Sequence, residues 1–205
     1  MFDLNNRILC LPLEEGKEEI EKIISLGYTD VILTYPVLLD GEYLQDEALK
    51  KFSFYKTTYS QINLYYGNEI NYHYTLIMRL RKGEIKTLND TNYLFLNLPK
   101  EEKPDQLRQL ILALYDYRII LSCSDEYKYL SIKDLMDLKK NGILMFVNLN
   151  NIDKHKTKKM LKEKMVDFIG TYENVNKNCL GKCEKRIEKE YFTEITKNNY
   201  TKFLK

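Results

Sequence analysis

Seven short apolar runs alternate with stretches that carry helical spacing, and this alternation limits what the chain can fold into more than any other feature. The runs fall at residues 2–4, 30–33, 62–65, 93–96, 118–122, 144–148 and 167–170. Between them the three-to-four-residue apolar period of an amphipathic helix predicts helices over 17–26, 44–59, 72–81, 104–115, 131–140, 154–164 and 182–196. Ile20, Ile23 and Ile24 make one such stripe, and Leu107, Leu110, Ile111 and Leu114 another. Ser131 stands before the stripe of Ile132, Leu135 and Leu138 with Asp134 at the capping-box position, and Gly142 follows where a left-handed helix end is expected. Parallel neighbours need a crossover of helical length, so strict alternation predicts parallel strands with helices outside. The expected fold is α/β, a distorted seven-stranded (β/α)7 barrel forming a single domain over residues 1–205.

The C-terminal ends of the strands gather side chains from distant parts of such a chain, so the functional face is expected there. It would comprise Asn5, Asn6 and Arg7, residues 34–37, Glu69, Asn97, residues 123–126, Asn148 and residues 172–174. The 205 residues are 44% hydrophobic, enough for one sizeable core. Basic and acidic residues number 32 and 30, a net of +2 that supplies no global field for nucleic acid or an anionic membrane. No basic and apolar leader opens the chain and no run reaches spanning length, which predicts a cytoplasmic protein without membrane insertion. Cys10, Cys123, Cys179 and Cys183 are too scattered for a disulfide framework.

Tyr66-Gly67-Asn68-Glu69-Ile70, followed by Leu88-Asn89-Asp90, resembles the G-x-E-I and L-N-D segments of the bacterial capsule-type manganese-dependent protein-tyrosine phosphatases of the PHP (polymerase and histidinol phosphatase) superfamily. The resemblance implies a PHP-type barrel, a link to capsule polysaccharide biosynthesis, and a metal-bridging role for Glu69. Asp3-Leu4-Asn5-Asn6-Arg7 lies where that family has D-x-H-x-H, so Asn5 and Arg7 stand at two ligand positions. Glu15, before Gly16, resembles the family's acidic residue. Val37 or its neighbours take the position of a histidine after the second strand. In Ser122-Cys123-Ser124-Asp125-Glu126-Tyr127, where the family reads A-H-x-E-R-Y, Cys123 replaces a ligand and Glu126 a phosphate-facing Arg. Thr171-Tyr172-Glu173-Asn174 takes the place of S-D-x-H. His73 and His155 fall at none of these positions.

A polynuclear hydrolase centre needs several imidazoles and carboxylates around closely spaced cations. With those imidazoles replaced, the resemblance implies a catalytically inactive relative that needs no cofactor and acts as a binding or regulatory module. Its partner, by analogy, would be a phosphotyrosine protein or polysaccharide-export kinase. The alternative is a metal-dependent phosphatase or phosphoesterase holding Mn or Mg through Glu15, Glu69, Asp125 and Glu173. A third reading is a small-molecule or sugar-binding barrel that uses the Asn and Tyr rim. An Arg7–Glu69 ion pair would fill the space of a lost cation.

Overall fold

Seven parallel strands lie side by side in chain order: β1 (Ile8–Pro12), β2 (Asp30–Val37), β3 (Asn63–Asn71), β4 (Tyr93–Asn97), β5 (Arg118–Leu121), β6 (Leu144–Asn148) and β7 (Phe168–Gly170). Helices α1 (Gly16–Ser25), α2 (Gln45–Thr58), α3 (Leu76–Arg81), α4 (Leu107–Ala113), α5 (Ile132–Lys140) and α6 (His155–Lys162) make the crossovers, and α7 (Lys177–Glu184) and α8 (Lys189–Thr193) follow β7. The structure is a computed structural model that describes residues 8–12, 16–37, 45–171 and 177–203. One continuous ladder joins β1 through β6, and β7 adds to β6 through a second. The sheet curls into a parallel half-barrel, bringing β7 round towards β1.

Among the described residues the elements follow the sequence pattern with three differences. The strand expected at 2–4 lies outside the described residues, and the first described strand is β1. Residues 34–37 belong to β2, where they pair with residues 67–70 of β3, so Glu69 sits within a strand and not beyond its end. The helices expected over 72–81 and 104–115 contract to α3 and α4. The last expected helix divides into α7, α8 and a π-helical turn (Glu194–Asn198). α5 closes as its sequence predicts. Ser131 Oγ accepts the Asp134 N–H at 3.2 Å, and Asp134 Oδ2 accepts the Ser131 N–H at 2.8 Å. At its far end Gly142, with φ of 86°, lets Ile143 N–H reach back to the Leu138 carbonyl at 3.2 Å.

Side-chain alternation divides the core in two. Val31, Leu33, Leu64, Ile70, Leu94, Leu121 and Val147 face the helices in the larger cluster. On the concave face Ile32, Phe95, Ile120, Phe146 and Phe168 form an apolar layer that Leu88 and Tyr200 complete. The void among them is about 10 Å³, so this layer is a packed plug and not a channel. Below it, Asp30 accepts from Asn63 at 3.0 Å and from the Tyr65 hydroxyl at 3.1 Å. Above it lie the C-terminal strand ends.

Gly67 is what admits Leu88 to the plug. A Cβ at position 67 would stand 2.5 Å from Leu88 Cδ2 and 2.9 Å from Leu88 Cα. The Leu88–Asp90 turn cannot retreat easily, because Asn89 and Asp90 already take left-handed backbone angles (φ 48° and 54°). Gly67→Ala should therefore cost about 1–3 kcal/mol of stability through overpacking. A urea titration that leaves the midpoint unchanged would show that the turn is free to move.

Candidate functional site

The mouth of the curl is built by strand parity. Glu69 of β3 shares its face with Gly67 and pairs in register with Phe95, while Asn97 of β4 stands two residues past Phe95. Ser122, just past β5, follows Ile120 on the same face and brings its hydroxyl to Glu69 Oε1 at 2.9 Å. Asn97 donates its amide to Asn71 Oδ1 at 2.9 Å, and Asn148 at the end of β6 accepts the Asn150 N–H at 3.0 Å.

The segment after β5 is tied down residue by residue. Cys123 has a left-handed backbone (φ 43°), and the turn it makes brings the Ser124 N–H to the Phe146 carbonyl at 2.9 Å. Asp125 Oδ2 accepts from the Thr157 hydroxyl of α6 at 2.7 Å. Glu126 accepts from the Asn151 amide at 2.6 Å and pairs with the Lys100 ammonium at 2.6 Å. Tyr127 is wholly buried; its hydroxyl donates to the Ser122 carbonyl at 2.6 Å and accepts the Leu98 N–H at 3.0 Å. Lys156 reaches back to the Tyr127 carbonyl at 2.7 Å.

These surroundings set the charge states. Burial pushes the Cys123 thiol well up, and the carboxylates of Glu126, Asp125 and Glu69 push it further, so the thiol is protonated and poorly nucleophilic. Burial also raises the Glu126 carboxyl, but the Lys100 ammonium and the Asn151 amide outweigh it and hold the group below its ordinary value. The Glu126 hydrogen bond in turn raises Lys100, which also feels Cys123 and Glu69. Burial raises Asp125, and its Oδ1 has no hydrogen-bond partner among the described residues.

A raised carboxyl binds its proton more tightly in the folded chain than in the unfolded one. Its relative stabilisation is complete below the ordinary carboxylate value and is lost as pH rises through the folded value. Asp125→Asn keeps an acceptor for Thr157 and removes the charge. It should leave the melting temperature unchanged or raise it at neutral pH, with any gain shrinking as the solution is acidified. A variant that melts well below the parent at neutral pH would show that the ionised carboxylate is needed.

Of the positions singled out in the sequence, the structure brings Glu69, Cys123, Asp125 and Glu126 to this end of the sheet. Val37 is elsewhere: it is fully buried in the helix-facing cluster, in register with Ile70. Alternation along β2 turns it from the concave face, which at this level is offered by Thr34 and Pro36. Asn5, Arg7, Glu15, Tyr172, Glu173 and Asn174 lie outside the described residues. Lys100, Asn151 and Thr157, which engage the carboxylates, carried no signal in the sequence, since each is an ordinary polar residue in a turn or helix. Tyr127 did, as the final member of the A-H-x-E-R-Y-like segment.

Each described acidic or thiol group at the mouth already has a protein contact or is held neutral. Glu126 is held by a cation, Asp125 by Thr157 and Glu69 by Ser122, and Cys123 is a neutral thiol. Among the described residues no three His, Cys, Asp or Glu side chains are grouped to hold a metal ion.

Comparison with known proteins places the chain in a family and supports its fold. The candidate tyrosine-protein phosphatase CapC of Staphylococcus aureus is 28% identical over 127 residues, which is 56% of this chain and 49% of that protein, so the chain matches about half the length of this curated relative. A crystal structure from the work on YwqE of Bacillus subtilis and CpsB of Streptococcus pneumoniae, described as metal-dependent tyrosine phosphatases, superposes with a TM-score of 0.76 at 16% identity, covering 85% of this chain and 80% of that one. The histidinol phosphate phosphatase of Lactococcus lactis, solved with zinc, L-histidinol and phosphate, gives 0.59 at 14% identity, covering 91% and 94%. At these identities the structures speak for the fold alone, a curled parallel half-barrel. The family model described as capsular polysaccharide synthesis, CpsB/CapC, matches residues 14–205, and the chain belongs to that family.

Proposed function

We propose that this chain is a catalytically silent member of the CpsB/CapC family, a degenerate PHP-type barrel that works in the cytoplasm as a binding or regulatory module. Its partner would be a tyrosine-phosphorylated protein or a polysaccharide-export kinase. One observation carries the reading: Glu126 is paired with a lysine, Glu69 and Asp125 each accept from a hydroxyl and Cys123 is a neutral thiol, where a phosphoryl-transfer centre needs several donors around clustered cations. By the resemblance Glu126 would stand where the family has a phosphate-facing Arg, and its pairing with Lys100 leaves no guanidinium fork there for a phosphate. On this reading the half-barrel is the greater part of a closed (β/α)7 barrel, and Arg7 pairs with Glu69 in the space a bridging cation would take.

The competing reading is a working phosphatase or phosphoesterase with a reduced site of Glu15, Glu69, Asp125 and Glu173 loaded with Mn or Mg. It is favoured by the unpartnered Asp125 Oδ1, a buried oxygen with a lone pair to offer a hard cation. Elemental analysis of purified protein, together with p-nitrophenyl phosphate turnover with and without Mn²⁺, separates the two. The silent reading expects substoichiometric metal and turnover at the level of buffer. Stoichiometric metal with metal-dependent turnover would overturn it, and Glu69→Gln should then abolish the activity.

A further inference from the structure

A groove of about 870 Å³ opens on the outer side of the sheet between α4 and α5, far in character from the polar mouth. Its floor and inner walls are apolar, with Ile111, Leu114, Ile119, Leu130, Leu138 and Ile143 among them. Two large apolar side chains stand at its rim almost fully in solvent, Leu112 at 65% and Tyr115 at 81% exposure. Arg108, Leu112 and Tyr115 follow one another at intervals of four and three residues, so they form a single stripe on and just beyond α4. Isolated exposed apolar residues are ordinary, but a pair of them beside an open apolar groove marks an interaction surface.

The charges say which partner fits. The α4 side of the groove carries Lys103 and Arg108, and the α5 side carries Asp134 and Asp137. A uniformly acidic partner would meet the aspartates, and a uniformly basic one would meet Lys103 and Arg108. A surface with the same basic and acidic walls, turned by a twofold rotation, sets each basic wall against an acidic one. The knobs and the hole are likewise both present on one chain, as an isologous contact requires. Arg118 on the floor is already engaged, its guanidinium 3.3 Å from the Tyr93 hydroxyl and 5.7 Å from that ring's centre, so it leaves the pairing to Arg108 and Lys103. Among the described residues the Asp137 carboxylate makes a loose 3.7 Å contact with Lys140 at the surface, which a better-placed cation can replace.

We propose that this groove is the contact through which two copies of the chain pair, Leu112 and Tyr115 of each copy entering the groove of the other with Arg108 against the opposing Asp137. The pairing places the two mouths on separate surfaces of the dimer and is independent of whether either is active.

Light scattering across a concentration series tests this with the full chain. The parent should show a monomer–dimer equilibrium. The double variant Leu112→Asp, Tyr115→Asp should weaken it by about tenfold or more, as loss of central apolar anchors does. Both side chains are exposed, so circular dichroism and the melting temperature of the monomer should be unchanged. Arg108→Asp and Asp137→Arg should each weaken the dimer, and together they should restore it. A parent that stays monomeric at its highest soluble concentration, a dimer indifferent to the apolar substitutions, or a charge swap no tighter than either single variant overturns the proposal.

Discussion

Phe146→Ala is expected to cost about 3–5 kcal/mol, the largest effect of any single substitution considered for this fold. Phe146 is 2% exposed and meets Phe95 edge-on, with ring centres 5.0 Å apart at 76°. Ile32, Ile120, Phe168 and Tyr200 complete the layer around a void too small for a well-bonded water. The strands that carry these side chains are fixed by their ladders, so the wall cannot close over a lost phenyl ring, and the cavity term adds to the lost transfer energy. Because the chain has no Trp, unfolding in urea is best followed by far-ultraviolet circular dichroism or tyrosine fluorescence. A loss below about 1 kcal/mol would mean that the concave face is not packed as a plug.

Tyr127→Phe should be nearly as severe, about 2–4 kcal/mol, although it removes one oxygen and no hydrocarbon. The hydroxyl accepts the Leu98 N–H at 3.0 Å and donates to the Ser122 carbonyl at 2.6 Å, and no part of the side chain reaches solvent. The variant keeps the ring but removes the Leu98 N–H's acceptor and the Ser122 carbonyl's phenolic donor in a dry site, where the penalty is desolvation. Leu98 follows β4 and Ser122 follows β5, so the loss should also loosen the strand ends that carry Asn97 and the Ser122–Glu69 contact. Amide hydrogen exchange provides the check: Leu98 should lose protection in the variant while amides of α5 keep theirs relative to global stability. A variant as stable as the parent would show that water or another donor replaces the phenol.

The two substitutions probe different layers of one design. Phe146 belongs to the apolar plug beneath the mouth, and Tyr127 to the polar lattice that shapes it. If the mouth served catalysis with free carboxylates, some of its groups would be held poised at the expense of stability. The described ones instead make short contacts with Lys100, Asn151, Thr157 and Ser122, leaving Asp125 Oδ1 open. These contacts are what the silent reading proposed above would expect of a structural site, and metal analysis with turnover assays tests it.

Much of the fold was legible in the chain because it rests on local rules. Runs at 30–33, 93–96 and 144–148 become β2, β4 and β6 since β-branched and aromatic side chains bounded by polar turns have few other uses. The α5 cap was legible at both ends, Ser131 with Asp134 at one and Gly142 at the other, because helix termini are satisfied by neighbours in sequence. The continuation of β2 and β3 through residues 34–37 and 67–70 was not, since Thr34, Asn68 and Glu69 read as loop residues. They persist in strands because partners distant in sequence satisfy them: Asn68 accepts the Lys86 N–H at 2.7 Å, and Glu69 accepts from Ser122.

The sequence by itself determined the alternation of strand and helix, the helix caps of α5, and the family likeness read from Gly67, Glu69 and the Leu88–Asp90 segment. Only the tertiary structure decided that Val37 faces the helices, that Lys100 neutralises Glu126, that Gly67 is small to admit Leu88, and that Leu112 and Tyr115 flank an open groove. The division has a physical cause. Backbone propensity and capping act over a few neighbouring residues, whereas pleat parity, burial and charge pairing depend on which strand ends the curl of the sheet brings together.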